Sequence, residues 1–164
     1  MERTMKSFAV LLVIIGLFGT IYSQDKNAII KDIKAKYAQT QKDIKNIKPR
    51  VYTIDDNGET TTYSCYLKDK NIVMVEKCFV GGGDCGNCIK YYLDNNQPYF
   101  VFDNTECYVG EKTSKTEIRF YVSNKQVIKW LEGKKDIKVE DFNEKYKELM
   151  GTLDEIIKIL PKAK

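Results

Sequence analysis

Three stretches of the chain read as variants of one another. Tyr63–Val73, Ile89–Tyr99 and Ile118–Ile128 each run strand, short polar turn, returning strand, with Asp69-Lys70, Asn95-Asn96 and Asn124-Lys125 at the turns. Such a degenerate hairpin repeat restricts the topology, because strands joined by short connections pair as neighbours. Ahead of the repeats, Arg50–Asp55 and Glu59–Leu67 flank Asp56-Asn57-Gly58, a strong turn signal since Asn and Gly tolerate positive φ. The spacing predicts an antiparallel β-meander of about seven strands.

The hydrophobic period changes on both sides of this region. Ile30, Ile33, Tyr37, Thr40, Ile44 and Ile47 recur at helical steps until Pro49 removes a backbone donor. The lysines between Lys26 and Lys48 alternate with Asp25, Asp32 and Asp43, which reads as a solvated helix face. Toward the other end, Val139, Phe142, Tyr146, Leu149, Met150, Leu153, Ile156, Ile157 and Leu160 form a wide apolar stripe ending at Pro161. The fold class is therefore α+β: a meander built from degenerate hairpin repeats, flanked by an N-terminal and a C-terminal helix.

With two-residue turns, strict alternation sorts the strand residues into faces. One face carries Tyr63, Cys65, Leu67, Ile89, Tyr91, Leu93, Ile118, Phe120 and Val122, joined on the returning strands by Ile72, Met74, Phe100, Phe102, Val127 and Leu131. It is nearly all apolar and is expected to meet the helices. The opposite face is mixed, with Ser64, Val73, Val75, Val101 and Ile128 beside Tyr66, Tyr92, Tyr99, Tyr121, Trp130, Lys90 and Arg119. Tyr66, Tyr92 and Tyr121 recur at one place in all three repeats. Cross-strand aromatic pairing accounts for such a row structurally, and Tyr and Trp are also the usual anchors of protein interfaces. Those last seven residues are the candidate binding face.

The chain opens with the basic Met1–Lys6, continues through uncharged Ser7–Ile21, and reaches Tyr22-Ser23-Gln24 with small Ser23 before a cleavage point. This is the order of a secretory signal, and the uncharged run is shorter than the roughly 20 residues of a membrane span. Residues 1–23 are expected to be a signal peptide and 24–164 a single α+β domain, exported to the periplasm or beyond, with no stable membrane span after cleavage. The formal net charge of +4 falls by one when Glu2, Arg3 and Lys6 leave, a balance too weak to imply nucleic acid. The chain has no histidine, which excludes Ser-His and Cys-His nucleophiles and His-ligated metals.

Of the five cysteines, Cys65 takes the slot that Tyr91 and Phe120 fill in the other repeats, and so reads as a buried apolar residue. Cys78, Cys85, Cys88 and Cys107 gather around a glycine loop, and an even set in an exported chain suggests two disulfides. Three connectivities are open. A meander would set Cys78 beside Cys88, leaving Cys85 to tie the glycine loop to the loop after Asn104. Cys85-Gly-Asn-Cys88 also has the spacing of a thiol-disulfide oxidoreductase, but strand rather than helix follows it, so the usual lowering of the first thiol's pKa is missing. A four-thiolate zinc site would compete with disulfides in an oxidising compartment and lacks the paired-knuckle spacing. Gly81-Gly82-Gly83 lacks the Lys-Ser/Thr ending of a phosphate loop, and Asp94, Asp103 and Glu106 form no arguable acid–base couple. No catalytic residue, metal ligand or cofactor is assigned.

The segments Tyr91-Tyr92-Leu93-Asp94-Asn95 and Arg119-Phe120-Tyr121-Val122-Ser123-Asn124, with Ile128-Lys129-Trp130 on the return, resemble uncharacterised exported proteins of the Bacteroidetes type. The likeness spans Ile89 to Trp130 and extends to the Ser23-Gln24 signal end. It implies export and repeated hairpins, and carries over no functional residue. The expected function is a non-catalytic exported binding domain for a protein or cell-envelope partner, of which an inhibitor or immunity-type protein would be a sharper form. The alternatives are a thiol redox protein using Cys85 and Cys88, and a structural envelope protein.

Overall fold

The computed structural model of the chain describes residues 26–81, 85–109, 112–138 and 142–160. The expected signal peptide, residues 1–23, the glycines 82–83, Val139 and Pro161 lie outside the described residues. Packing divides the chain into two compact units, Met1–Asp32 and Ile33–Lys164. The described part of the first is helical, and the second contains the sheet and the last helix.

Helix α1 spans Lys26–Ile44. Its C-terminal end closes with turn bonds from Asn46 N–H to the Asp43 carbonyl and from Ile47 N–H to that of Ile44, before Pro49 redirects the chain. The strands follow in order: β1 Arg50–Asp56, β2 Glu59–Lys68, β3 Asn71–Val80, β4 Cys85–Asp94, β5 Gln97–Val109, β6 Lys112–Ser123, β7 Gln126–Glu132 and β8 Lys135–Asp136. Helix α2, Phe142–Ile159, ends the fold. The strands form one antiparallel sheet in sequence order, so the meander is as expected, with the short β8 added at the end.

The turns explain how the chain reverses so tightly. Asn57 and Gly58, Asp69 and Lys70, Asn95 and Asn96, and Asn124 and Lys125 all have positive φ. Positive φ at both central residues is the twist that matches right-handed strands in a two-residue hairpin.

Each repeat contains one feature that alternation alone does not reveal. Register shifts occur between Tyr66 and Leu67, Tyr92 and Leu93, and Tyr121 and Val122. Leu67 pairs with Ile72 but Tyr66 with Met74, leaving Val73 as an extra residue. Tyr99 and Ile128 are the extra residues of the next two hairpins. A β-bulge sets two residues against one and reverses the facing of everything beyond it.

The returning strands therefore face the other way from the strict-alternation expectation. Cys65 pairs with Val75, Tyr91 with Val101, and Phe120 with Trp130. Val75, Val101 and Trp130 join the core that α2 covers, whereas Met74, Phe100, Phe102 and Leu131 pass to the opposite face. That face now carries enough apolar surface to require its own cover. The helices accordingly lie on opposite faces, correcting the expectation that both would meet one.

The α2 side holds the main core. Leu149, Leu153, Ile156 and Leu160 recur at steps of four, three and four, and pack with Tyr63, Cys65, Val75, Tyr91, Leu93, Val101, Phe120, Val122 and Val127. Leu153, Ile156, Val75, Tyr91 and Val101 are all 0% exposed, and full burial of such a side chain contributes roughly 1.5–3 kcal/mol. Gly151 faces outward with open space around it, so the glycine interrupts no packing. On the other face, residues 33–44 of α1 cover an aromatic layer: the Tyr37 ring lies 5.0 Å from Tyr92 and 4.9 Å from Phe100.

Candidate functional site

The bulged return of β5 creates the site. Because Tyr99 is the extra residue, Phe100 pairs with Tyr121 and Phe102 with Arg119, all four on the α1 face. Ile33, Lys34 and Tyr37 border the same space from the helix, and Glu117 from β6. Together they enclose a cleft of about 340 Å³. Its floor is aromatic, with the Phe100 and Tyr121 rings 5.2 Å apart in an edge arrangement. Edge and tilted contacts of this kind hold rings in place without requiring them to stack flat.

Charge sits at the rim of this apolar floor. Arg119 Nη2 donates to the Gly133 carbonyl, and Gly133 N–H donates in turn to the Glu117 carbonyl at 2.7 Å. The positive φ of Gly133 lets the chain turn after β7 and present that carbonyl. Arg119 Nε is buried with no hydrogen-bond partner among the described residues. Such a group costs about 1–3 kcal/mol unless something satisfies it, so the guanidinium is fixed at one end with a donor to spare. Glu117 lies 3.4 Å from Lys115, and Lys34 adds a further cation from α1.

The candidate binding face separates into parts. Arg119 and Tyr121 reach the cleft. Tyr92, Tyr99 and Tyr121 are 1%, 7% and 4% exposed, so they are a covered layer and not an open row. The Tyr92 hydroxyl accepts from Gln41 Nε2 at 2.6 Å, and the Tyr99 hydroxyl shares a hydrogen bond with Thr40 at 2.8 Å. Burial pushes both phenols up; beside Tyr92 the Tyr37 hydroxyl adds to the shift, while at Tyr99 the Thr40 bond opposes it. Tyr66 is half-buried, its phenol raised first by burial and then by Glu76. Lys90 is paired with Glu76 directly across the strands at 2.7 Å. Trp130 belongs to the other face: its ring packs 5.1 Å from Phe120, with Lys145 Nζ 5.5 Å from both rings. The bulge at Ile128 is the reason.

Sequence reasoning missed Phe100 and Phe102, which it placed in the core, and did not connect Ile33, Lys34, Tyr37 and Glu117 with them. A signal was present in the unbroken apolar runs Ile72-Val73-Met74-Val75 and Tyr99-Phe100-Val101-Phe102. Runs like these interrupt alternation at the first two bulges, whereas Val127-Ile128-Lys129 carries no such mark.

The cysteines form two cross-strand bridges, Cys78–Cys88 and Cys85–Cys107, with Cα separations of 4.1 and 4.0 Å, and Cys65 is free and buried. Each bridge joins register partners. Burial raises the Cys65 thiol, with Arg50 partly opposing, so Cys65 is a poor nucleophile. Cys78 and Cys88 lie near Glu76, their ligand atoms within 4.8 Å of one another. With the two sulfurs bonded together, that group offers no thiolate. The carboxylates do not converge: Asp94 pairs with Lys36, Asp103 accepts from Asn87 at 2.6 Å on the α2 side, and Glu106 pairs with Lys115 in register on the α1 side.

Among the described residues, no helix is long and apolar enough to cross a membrane. Comparison of the chain with protein-family models, curated proteins and solved structures gives no match.

Proposed function

We propose that the chain is an exported, non-catalytic binding domain for a protein or cell-envelope partner, with the cleft between α1 and strands β5–β6 as its contact site. One observation carries this reading. A guanidinium anchored to a backbone carbonyl stands at the rim of an aromatic-floored cleft, with one buried donor unmatched. Rigid rings beside a fixed arginine are what interface anchors use. The complement is an apolar or aromatic group with a hydrogen-bond acceptor beside it. The signal-like first residues and the two disulfides support the export half of the proposal.

The test compares the domain from Gln24 onward with Phe102→Glu and Arg119→Ala variants in capture from envelope and medium fractions. A specific partner should be held by the wild type and lost by both variants, with melting temperatures little changed. Capture that survives both substitutions would move the contact elsewhere on the fold. Wild-type protein that retains nothing specific would defeat the binding-domain reading.

A further inference from the structure

The two edges of the sheet are treated differently. One ends in β8, two residues long and preceded by Lys134, and a short charged strand is a common way to blunt an edge. The other ends in β1, seven residues long and paired with β2 without a register break. No described residue pairs with its outer side. It contains neither proline nor lysine. Val51 and Ile54, 44% and 37% exposed, are two of the four large apolar side chains exposed among the described residues.

The turn fixes which backbone groups β1 presents. In a two-residue hairpin the residues flanking the turn exchange both hydrogen bonds, and the pattern then alternates. Asp56 and Glu59 flank Asn57-Gly58. Arg50, Tyr52, Ile54 and Asp56 therefore bond to β2, whereas Val51, Thr53 and Asp55 turn their N–H and C=O outward.

We propose that β1 is the dimerisation edge, pairing antiparallel with β1 of a second copy about a two-fold axis at Thr53. In that register Thr53 meets its own equivalent, and Val51 and Asp55 of each copy exchange backbone bonds with Asp55 and Val51 of the other. Tyr52 then lies opposite the partner's Ile54, and Arg50 opposite the partner's Asp56, all on the α2 side. These are non-hydrogen-bonded positions, where opposed side chains come closest. Sliding the pairing by two residues in either direction separates Arg50 from the partner's Asp56. The strand is self-complementary in backbone hydrogen bonding and, on the α2 side, in side-chain character and charge, which is what an isologous interface requires. This inference is independent of the cleft, which lies on β5 and β6.

The test uses the mature chain in sedimentation or light scattering over a concentration series. A concentration-dependent dimer is expected, weakened about tenfold by Arg50→Glu, weakened likewise by Asp56→Arg, and restored when both changes are combined. Because both side chains are exposed, these variants should fold. Thr53→Cys should give a covalent dimer on mild oxidation, since opposed Cα atoms at a hydrogen-bonded position are about 5.5 Å apart. Thr62→Cys, one strand inward on the same face, should not. A monomer at every concentration, a dimer indifferent to the charge swap, or equal cross-linking at both positions would overturn the proposal. A monomer whose β1 takes up extended peptides but never its own copy would overturn it as well.

Discussion

Cys85 and Cys88 belong to one strand yet project from opposite faces of the sheet, Cys85 bonded to Cys107 and Cys88 bonded to Cys78. Three residues apart in a period-two strand, they face away from each other. The Cys-x-x-Cys spacing that suggests redox chemistry on a helix has no such meaning here.

The purified domain from Gln24 onward should accordingly fail to reduce insulin. Denatured without reductant it should expose a single thiol, mapped to Cys65. Replacing Cys78 or Cys107 by Ser should lower stability by about 2–4 kcal/mol, chiefly by freeing the unfolded chain. Turnover of insulin, or more than one titratable thiol, would contradict the observed bridges.

The bulge at Tyr99 takes Phe102, which strict alternation places in the core, away from the residues that pack beneath α2. Leu153→Ala, at a fully buried position on α2, should cost about 2–5 kcal/mol. Phe102 borders the cleft and is half-buried, so Phe102→Ser should cost less than about 2 kcal/mol. Urea midpoints of the two variants provide the check. A larger loss from Phe102→Ser than from Leu153→Ala would place Phe102 in the main core after all.

Buried phenols set an upper pH limit on stability. Burial pushes Tyr91 and Tyr92 well above the ordinary tyrosine value, so the fold favours their neutral forms. The unfolded chain loses these protons near pH 10. Stability is fully present below that pH and should decline as pH rises above it. Unfolding measured at about pH 8 and about pH 11 should differ, with a block of tyrosinate absorbance appearing only on unfolding. Smooth titration of every tyrosine near the free value, without loss of stability, would be inconsistent with this burial.

Lys70 and Lys125 hold φ of 69° and 58° at the second turn position, a conformation that costs an L side chain roughly 1–2 kcal/mol. Asn or Gly serves that position better. Lys70→Gly and Lys125→Gly should each stabilise by about 0.5–1 kcal/mol. Thermal or urea melts that fall instead would mean the lysine side chains contribute contacts beyond the turn.

The candidate site was only partly legible in advance. Arg119 and Tyr121 stood out as repeat positions on a mixed face, and both reach the cleft. Phe100 and Phe102 did not, because facing was counted from the turn and the extra residue at Tyr99 intervenes. Trp130 was misplaced for the same reason at Ile128. Tyr66, Tyr92 and Tyr121 read as a row, but whether a tyrosine row is open or covered depends on where a distant helix settles.

By itself the sequence determined the α+β class, the meander order, the turns and the free Cys65, because these follow from local rules: period, turn chemistry, and neighbour pairing across short connections. The tertiary structure decided which residues share a face and where the helices go. Val73, Tyr99 and Ile128 each insert one residue, a change marked in the sequence only by a short apolar run at the first two. Yet each insertion reverses a returning strand. Apolar surface is thereby divided between two faces, each must be buried, and one helix on each side meets that requirement.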